Sequence, residues 1–203
     1  MTDRITKATG LPETIGGVPL TLRPIRLSDA ERLSDYVSDM DVARMTRQFP
    51  RHVPLYAAEF RIMYMTSQKH RGLSYNYAVT KTGDDRLIGT VELFRRSADD
   101  MFEIEYWIAK PFWGQGYATD AANMIIQAAK HHLGITRLKA GVFADNSAGL
   151  RVMEKLGFER QGPIERSFSM ARLEQAPIIN LSLELTGQQR LVTSSPFTKR
   201  FVK

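Results

Sequence analysis

The chain has no cysteine among its 203 residues. This absence excludes disulfide bridges, thiolate metal ligands and any reaction that passes through a cysteine acyl-enzyme. Histidine is scarce as well: His52 and His70 stand alone, and His131 and His132 are neighbours that would project about 100° apart on a helix. We therefore expect no metal site.

Long apolar runs are missing too. No stretch approaches the roughly 18 residues of a membrane span, and the N-terminal residues lack the apolar core of a signal peptide, which predicts a cytoplasmic protein without a membrane partner. The net charge is +6, yet residues 186–203 hold four basic residues and no acid, so residues 1–185 carry only 24 − 22 = +2. A dedicated nucleic-acid binder would spread a larger excess over one face, which argues against nucleic acid as a partner.

The remaining pattern is that of one domain, with 43% hydrophobic residues and enough length to bury a core. Gly16-Gly17 ends a polar opening, so residues 1–17 are predicted to be a flexible N-terminal tail. Residues 18–185 would form the single domain, and residues 186–203 a basic C-terminal appendage.

Hydrophobic periodicity predicts the elements of that domain. In chain order these are a strand over 20–25, helices over 28–40 and 54–69, strands over 74–80, 86–95 and 102–109, a helix over 114–133, a strand over 138–143, a helix over 147–156, and strands near 158 and over 178–185. This order predicts an α/β fold of the α+β type, with a twisted, mostly antiparallel mixed sheet of about seven strands flanked by about four helices.

One strand-to-helix turn carries the clearest chemical signal. A strand ends before Pro111, and a helix begins near Gly114. Gly114 and Gly116 have no Cβ, so a ligand can approach the backbone, and the free amides of the first helical turn attract an anion such as a pyrophosphate. A turn that needs glycine only for its geometry is the alternative interpretation.

Two nucleotide-binding motifs do not fit this turn. A P-loop requires the pattern GxxxxGK[ST], and that lysine is absent. A Rossmann fingerprint requires a third small residue where this chain has Thr119, and it opens a βαβ unit, whereas the preceding strands are predicted to be antiparallel.

The same turn resembles motif A of the GNAT superfamily of acyl-CoA-dependent N-acetyltransferases, (Gln/Arg)-x-x-Gly-x-(Gly/Ala), in Trp113-Gly-Gln-Gly-Tyr-Ala118. A second match, Asn146 followed by Arg151-Val-Met-Glu-Lys-Leu-Gly-Phe158, lies at the right distance. The form Gly-x-Gly-Tyr-Ala-Thr-(Asp/Glu)-Ala after a Tyr-Trp-Ile strand is similar to the branch that acetylates the N-termini of ribosomal proteins. The resemblance covers about residues 20–185 and implies a GNAT-like fold.

The resemblance implies acetyl-CoA as the cosubstrate and a set of residues that hold it. The backbone of Tyr106, Trp107 and Ile108 would pair with the pantetheine arm, and Asn146 would donate a hydrogen bond to it. The pyrophosphate would be held by backbone amides, those of Gly114, Gln115, Gly116, Tyr117, Ala118 and Thr119. Trp113 replaces the family's Gln or Arg, so only its backbone is expected to contribute.

The reaction also needs a general base, because an ammonium must lose a proton before it attacks a thioester. Glu103 and Glu105 lie two apart and therefore on one strand face, beside aromatic residues that would raise the pKa of either carboxyl by desolvation. In the resembling branch the usual acidic position matches Glu103, while glycine is common at the position of Glu105. A solvated strand face is the alternative, and the amide of Ile108 is the candidate donor to the oxyanion.

The general acid of the superfamily has no counterpart here. Its usual tyrosine falls on Met153 and the branch's serine on Gly149, and neither residue can donate a proton. Because a thiolate whose parent pKa is about 8.5 can leave unaided, we expect a water or no acid at all.

The sequence therefore predicts an N-acetyltransferase that transfers the acetyl group to a primary amine, on a protein N-terminus or a small molecule, by direct attack in a ternary complex. The alternative is a non-catalytic acyl-CoA-binding sensor or scaffold. The acceptor would lie against the two early helices and the strand near Ile178. Four arginines there (Arg44, Arg47, Arg51 and Arg61) indicate either an acidic acceptor or a solvated face. An exposed strand over 178–185 could pair across a homodimer.

Overall fold

The computed structural model describes residues 10–69, 71–95 and 100–185. Its strands are β1 (Ile15–Gly16), β2 (Leu20–Pro24), β3 (Ser74–Lys81), β4 (Asp84–Phe94), β5 (Glu103–Ile108), β6 (Arg137–Phe143), β7 (Glu159–Arg160), β8 (Glu165–Ser169) and β9 (Glu174–Glu184). Its helices are α1 (Ala30–Val37), α2 (Met40–Ala43), α3 (Leu55–Lys69), α4 (Tyr117–Leu133) and α5 (Ser147–Lys155), with 3-10 turns at Leu27–Asp29 and Lys110–Phe112.

The expected α/β class with a mostly antiparallel sheet is confirmed, although the part of the sheet formed by the described residues has nine strands rather than about seven. The two additional strands, β1 and β8, are short and pair with β2 and β9. The described residues contain five α-helices rather than four, because the helix predicted over 28–40 ends at Val37 and an additional short helix, α2, begins at Met40. Asp39 has an extended backbone there, and its carboxylate caps α2 by accepting from the Asp41 amide at 2.8 Å.

The strand order is β1-β2-β3-β4-β5-β6-β9-β7, with β8 also paired to β9. The β5–β6 pair is parallel, and the other described pairs are antiparallel. A glycine is required where β4 passes β5, because a Cβ on Gly89 would collide with the Trp107 carbonyl oxygen. This close approach holds the two strands in register up to the end of β5.

A hydrophobic core lies on each face of the sheet. On one face, α4 and α5 bury Ile125 and Met153 against residues such as Ile104. On the other, α1 and α3 bury Leu33 and Ile62 in a cluster that also holds Trp107. Since successive side chains of a strand point to opposite faces, β5 contributes to both cores, and its end lies between the two helical layers.

A buried ion pair joins β2 to the turn before α1. Arg23 and Asp29 are 5% and 4% exposed, and the guanidinium donates to both carboxylate oxygens at 2.7 and 2.8 Å. Asp85 contacts the outer side of the same guanidinium, with Nε 2.6 Å from a carboxylate oxygen. The bidentate geometry fixes the direction in which the chain enters α1.

The segment predicted to be a flexible tail is described in part. Leu11 is buried there, the Tyr77 hydroxyl donates to the Pro12 carbonyl oxygen, and β1 extends the edge of the sheet. These residues pack on the domain because Leu11 is buried in the core, Pro12 accepts a hydrogen bond from β3, and the two residues of β1 pair with β2. The predictions for residues 1–9 and for the basic appendage over 186–203 fall outside the described residues.

The prediction that residues 178–185 form a strand with an exposed edge is wrong. β9 is paired on both sides: Leu181 lies opposite Ala140 of β6 and opposite Arg160 of β7. Around Leu181 and Ser182 the backbone of β9 is therefore unavailable for pairing across a homodimer.

Candidate functional site

The parallel strands β5 and β6 separate to form a cleft. Within the described residues their ladder has one paired position, Glu103 opposite Lys139, supported by the Lys139 amide donating to the Phe102 carbonyl at 3.0 Å. Beyond this pair the strands diverge toward their C-terminal ends. A cleft of about 390 Å³ lies at this opening, between β5, α4 and α5.

The backbone of β5 presents free polar groups to that gap. In an antiparallel pair, successive residues direct their N–H and C=O groups alternately toward and away from the neighbouring strand. The Ala109 amide donates to the Ile88 carbonyl of β4 at 2.9 Å, so the groups of Tyr106 and Ile108 point to the opposite side. Trp107 differs from its neighbours: its backbone faces β4 rather than the gap, although the residue contributes to the lining of the cleft.

The glycine turn forms the next wall of the cleft. Gly114 and Gly116 have φ of 76° and 84°, values that side-chain-bearing residues rarely adopt. Gly116 is the N-cap of α4, so the first amides of that helix have no partners within it. Every residue of the predicted cofactor set lines this cleft except Gln115, which is exposed.

Trp113 has a definite role in this turn. Its indole nitrogen Nε1 donates to the Ile108 carbonyl oxygen at 2.6 Å. The side chain therefore ties the glycine turn to the end of β5, and it leaves the Ile108 amide as the free group of that residue. This contact explains physically how an indole replaces Gln or Arg at the position.

Asn146 lies on the far wall of the cleft, where it caps α5. Its Oδ1 accepts from the Gly149 amide at 2.9 Å. A Cβ on Gly149 would lie 2.7 Å from Asn146 Nδ2, so glycine is needed for this cap. Sequence reasoning missed Arg151 and Lys155, which also line the cleft; their spacing of four residues, which places both on one helix face, is the signal that could have found them.

A hydroxyl group lies near Gly149, one of the two positions where the sequence supplies no proton donor. Met153 is 1% exposed and belongs to the core, as its side chain suggests. The Tyr106 hydroxyl, however, lies 3.5 Å from the Gly149 carbonyl oxygen and lines the cleft. Burial raises the pKa of Tyr106 above its usual value, which keeps the phenol protonated at neutral pH.

Glu103 and Glu105 do share one face of β5, and both bind one arginine. Arg47 Nε donates to Glu105 Oε1 at 3.0 Å, and Arg47 Nη2 contacts both carboxylates. Gln48 holds the other Glu105 oxygen at 2.6 Å. Burial raises the pKa of Glu103, which is 8% exposed, while the charge of Arg47 acts in the opposite direction.

A third carboxylate, Glu92 on β4, was not predicted. It lies directly opposite Glu105 in the sheet register, and it accepts from the Ser74 hydroxyl at 2.8 Å. Burial raises the pKa of Glu92 to about 7. Pairing the predicted strand 86–95 with the predicted strand 102–109 as a meander could have placed Glu92 beside Glu105.

Two of these three carboxylates adjoin a second, smaller cavity of about 80 Å³ beside the cleft. Glu92, Glu105 and Arg47 line it, together with residues of the 45–49 segment. Tyr106 and Asn146 line both cavities, so the two are neighbours.

The basic face expected from four arginines is largely turned inward. Arg47 is held by the two glutamates, and Arg51 Nε donates to the Ala171 carbonyl at 2.9 Å. Arg61 donates to the Gln48 side chain at 2.8 Å and stacks 4.6 Å from the centre of the Phe49 ring. This geometry gives little support to an acidic acceptor.

The described residues offer neither a cluster of metal ligands nor a membrane-spanning helix. Among them, no group of three or more His, Cys, Asp or Glu side chains could hold a metal ion. None of the helices in the same part of the chain is long and apolar enough to cross a membrane.

Comparison with known proteins gives a family match. A family model described as "Acetyltransferase (GNAT) domain" matches residues 19–159. The chain is 31% identical over 151 residues to "Probable N-acetyltransferase YjcK" of Bacillus subtilis, an alignment that covers 72% of this chain and 83% of that protein.

Solved structures show the same fold at low sequence identity. RimJ of Mycobacterium smegmatis in complex with CoA-disulfide has a TM-score of 0.74 at 18% identity, covering 85% of this chain and 88% of that one. An acetyl transferase of Salmonella typhimurium, described as modifying the N-terminal serine of 50S ribosomal subunit protein L7/L12, has a TM-score of 0.74 at 16% identity, with coverage of 85% and 99%.

Proposed function

We propose a reaction for this chain from one premise: the chain belongs to the GNAT acetyltransferase family. As a member it is an acetyl-CoA-dependent acetyltransferase. The proposed reaction transfers the acetyl group of acetyl-CoA to a primary amine, on a protein N-terminus or a small molecule, by direct attack within a ternary complex. The observation that carries it is the opening between β5 and β6, which ends at a glycine turn and a helix N-terminus.

The cleft supports the binding of acetyl-CoA. Tyr106 and Ile108 offer backbone groups to a pantetheine arm, in the manner of an added strand. The amides that follow Gly114 and Gly116 suit a pyrophosphate, since no Cβ obstructs the approach and the helix dipole favours an anion. Asn146 keeps its Nδ2 for a second contact with the arm, because its Oδ1 is used in the helix cap. Arg151 and Lys155 add positive charge to the same cleft.

The smaller cavity supports the binding of the amine. Ammonium groups bind where carboxylates converge, and Glu103 and Glu105 converge on Arg47, with Glu92 beside them. These three acids face two arginines, Arg47 and Arg61, so an excess of one acid favours a cationic acceptor group over an acidic one. In this proposal the carboxylate cluster binds the ammonium and takes its proton.

The transfer itself needs few further groups. The free Ile108 amide is placed to donate to the oxyanion of the tetrahedral intermediate, because the Ile108 carbonyl is already bound by Trp113. CoA then leaves as a thiolate. Since the chain has no cysteine, an acyl-enzyme through a thiol is excluded, and attack by the amine on acetyl-CoA is direct.

The acceptor class is proposed from the neighbours and from the pocket together. The Salmonella protein is described as modifying an N-terminal serine of a ribosomal protein. An unblocked N-terminus is an ammonium with a pKa of about 7.7–8.0, which a carboxylate pocket can bind and deprotonate near neutral pH. We place a protein or peptide N-terminus first and a small primary amine second.

The competing function, a non-catalytic acyl-CoA sensor or scaffold, is favoured by one observation: Gly149 and Met153 supply no proton donor. The test is release of free CoA thiol from acetyl-CoA, with peptides that begin with Ser, Ala or Met and with spermidine, lysine and kanamycin as acceptors. A chain without cysteine gives no thiol background of its own. An enzyme releases thiol with at least one amine and yields an acetylated product by mass spectrometry. A scaffold binds acetyl-CoA and releases none.

A further inference from the structure

The three carboxylates near the small cavity differ in what holds them. Both oxygens of Glu105 are bound, one by Arg47 and the other by Gln48 at 2.6 Å. Glu103 lies behind Arg47 beside Gly141, where a Cβ would meet its Oε1 at 3.7 Å. A carboxylate whose lone pairs are held by a guanidinium is a weak proton acceptor, because protonation would break the charge-assisted contact.

Glu92 is held by uncharged groups instead. Its hydrogen-bond donor is the Ser74 hydroxyl, 2.8 Å from Oε1, and its carboxylate lines the cavity. The charged groups that act on it are Arg61 from α3 and the acids Glu103 and Glu105 from β5. Glu92 is therefore the carboxylate of the cluster that can gain a proton without losing an arginine contact.

The Asn76 side chain lies against Glu92 in a way that suits both protonation states. In one amide orientation Nδ2 donates to the Ser74 hydroxyl at 2.5 Å, and Oδ1 then faces the carboxyl, where a protonated Glu92 can donate to it. After a flip, Nδ2 donates to the two oxygens of ionised Glu92 at 2.8 and 3.0 Å, and the single proton of the Ser74 hydroxyl is donated to Asn76 Oδ1 instead of to Glu92. Because an amide carries a donor and an acceptor at nearly the same positions, one side chain can serve the acid and its conjugate base.

We propose that Glu92 is the group that takes the proton from the acceptor ammonium, with Asn76 as its positioning residue; this inference rests on the amine acetylation proposed above. One N–H proton passes to the Glu92 carboxylate, and the freed lone pair attacks the thioester carbon. The C–N bond forms, the C–S bond breaks, and CoA leaves as a thiolate. The second amine proton ends on that thiolate, and Glu92 returns its proton to solvent through the cavity.

The ionisation of Glu92 gives the proposal a pH signature. Burial raises the pKa of Glu92 to about 7, with Glu105 and Glu103 adding to the rise and Ser74 and Arg61 opposing it. A base works only when ionised, so kcat/KM falls as the pH drops through about 7. This fall is the acidic limb of the pH profile. With spermidine or lysine as the acceptor, the limb is well separated from the titration of the acceptor amine, because a lysine-type amine has a pKa of about 10.4.

The test compares Glu92→Gln with Glu105→Gln in thiol release over pH 5.5–9, using spermidine or lysine as the acceptor so that the acceptor amine does not titrate near pH 7. Glu92→Gln is expected to lower kcat about 10²- to 10³-fold, to abolish the limb near pH 7 and to leave the acetyl-CoA KM within about twofold. Glu105→Gln keeps the limb but moves it to lower pH, because one neighbouring negative charge is gone. Asn76→Leu moves the limb to higher pH, since ionised Glu92 loses a donor, and Glu92→Asp restores part of the rate.

An infrared measurement on the free protein adds a readout that needs no turnover. The carboxylic-acid C=O band should titrate near pH 7 in the wild type and be missing in Glu92→Gln. Retention of the acidic limb in Glu92→Gln, or its loss in Glu105→Gln alone, overturns the assignment while acetylation stands. Absence of wild-type turnover with every amine, despite acetyl-CoA binding, overturns the proposed function and this inference with it.

Discussion

Replacing Gly116 with Asp tests the proposed anion site at the start of α4. Gly116 has φ of 84°, and a Cβ there would have the Asp120 carboxylate at 3.9 Å as a neighbour, so the added carbon itself meets open space. The new carboxylate would project into the region where we propose that the pyrophosphate binds. It would therefore act on the ligand mainly through charge and through the volume that it fills.

The magnitude follows from those two terms. Two unit charges 4 Å apart repel by about 1 kcal/mol in water and about 4 kcal/mol at the effective dielectric of a protein surface. An intermediate value of about 2–4 kcal/mol weakens acetyl-CoA binding roughly 30- to 1000-fold, since 1.4 kcal/mol corresponds to tenfold. The left-handed backbone adds a cost of about 1–2 kcal/mol, but this cost falls on folding in the free and bound states alike.

Two matched variants separate charge from backbone strain. Gly116→Ala carries the strain without the charge, and we expect its affinity for acetyl-CoA to fall less than about tenfold. Gly83→Asp adds the same side chain at φ of 83°, in the β3–β4 turn with nothing within 4 Å of its Cβ. Its affinity should equal that of the wild type.

Isothermal titration with acetyl-CoA at low and moderate salt is the assay, with circular dichroism as the control for folding. The loss in Gly116→Asp should shrink as salt rises, because screening weakens the repulsion between exposed charges. Wild-type affinity in folded Gly116→Asp would refute the reasoning that the pyrophosphate binds at this turn. A comparable loss in Gly83→Asp would show that the effect is not local.

Two further predictions concern the acid step and the fold. Tyr106→Phe removes the hydroxyl beside Gly149, and if the thiolate leaves without a side-chain acid we expect kcat to fall less than about threefold at pH 7.5; a loss near a hundredfold in thiol release would identify Tyr106 as the acid. Asp29→Ala leaves the buried Arg23 with Asp85 as its remaining carboxylate partner, so the free energy of unfolding should fall by about 3 kcal/mol, the lower end for a broken buried pair. Urea unfolding measures this change, and an unaltered midpoint would contradict the structural role given to the pair.

The residues that line the wall of the cleft at the glycine turn were predictable from the sequence because they are close together in it. The glycine turn and the start of α4 form one continuous segment, so a local motif contains most of the geometry. The strand before this turn was also recognisable from its density of β-formers. The sequence pattern could not predict the direction of the backbone N–H and C=O groups. Whether those of Trp107 or those of its neighbours point into the gap between β5 and β6 depends on how β5 pairs with β4.

The carboxylate-lined cavity was less predictable because its contacts join distant parts of the chain. Arg47 was grouped with a basic helix face, yet it reaches Glu105 across 58 positions of sequence. The sequence of its own strand does not mark Glu92 as a site residue. Only the strand register, which places Glu92 opposite Glu105, indicates that it belongs to the carboxylate cluster. At position 149 this chain has glycine where the resembling branch has serine. The reason is local, because a Cβ there would collide with the Asn146 side chain that caps α5, and only the structure shows this contact.

The opening between β5 and β6 has a thermodynamic consequence. Tyr106 and Ile108 leave hydrogen-bonding groups of the central sheet to water in the free protein, and a pantetheine arm would take the place of the missing strand. The ligand would then be part of the fold as well as a reactant, and it would stabilise the native state by about 2.7 kcal/mol at a concentration one hundred times Kd. The melting temperature of this protein should therefore rise with acetyl-CoA concentration, and amide exchange at Tyr106 and Ile108 should slow on binding.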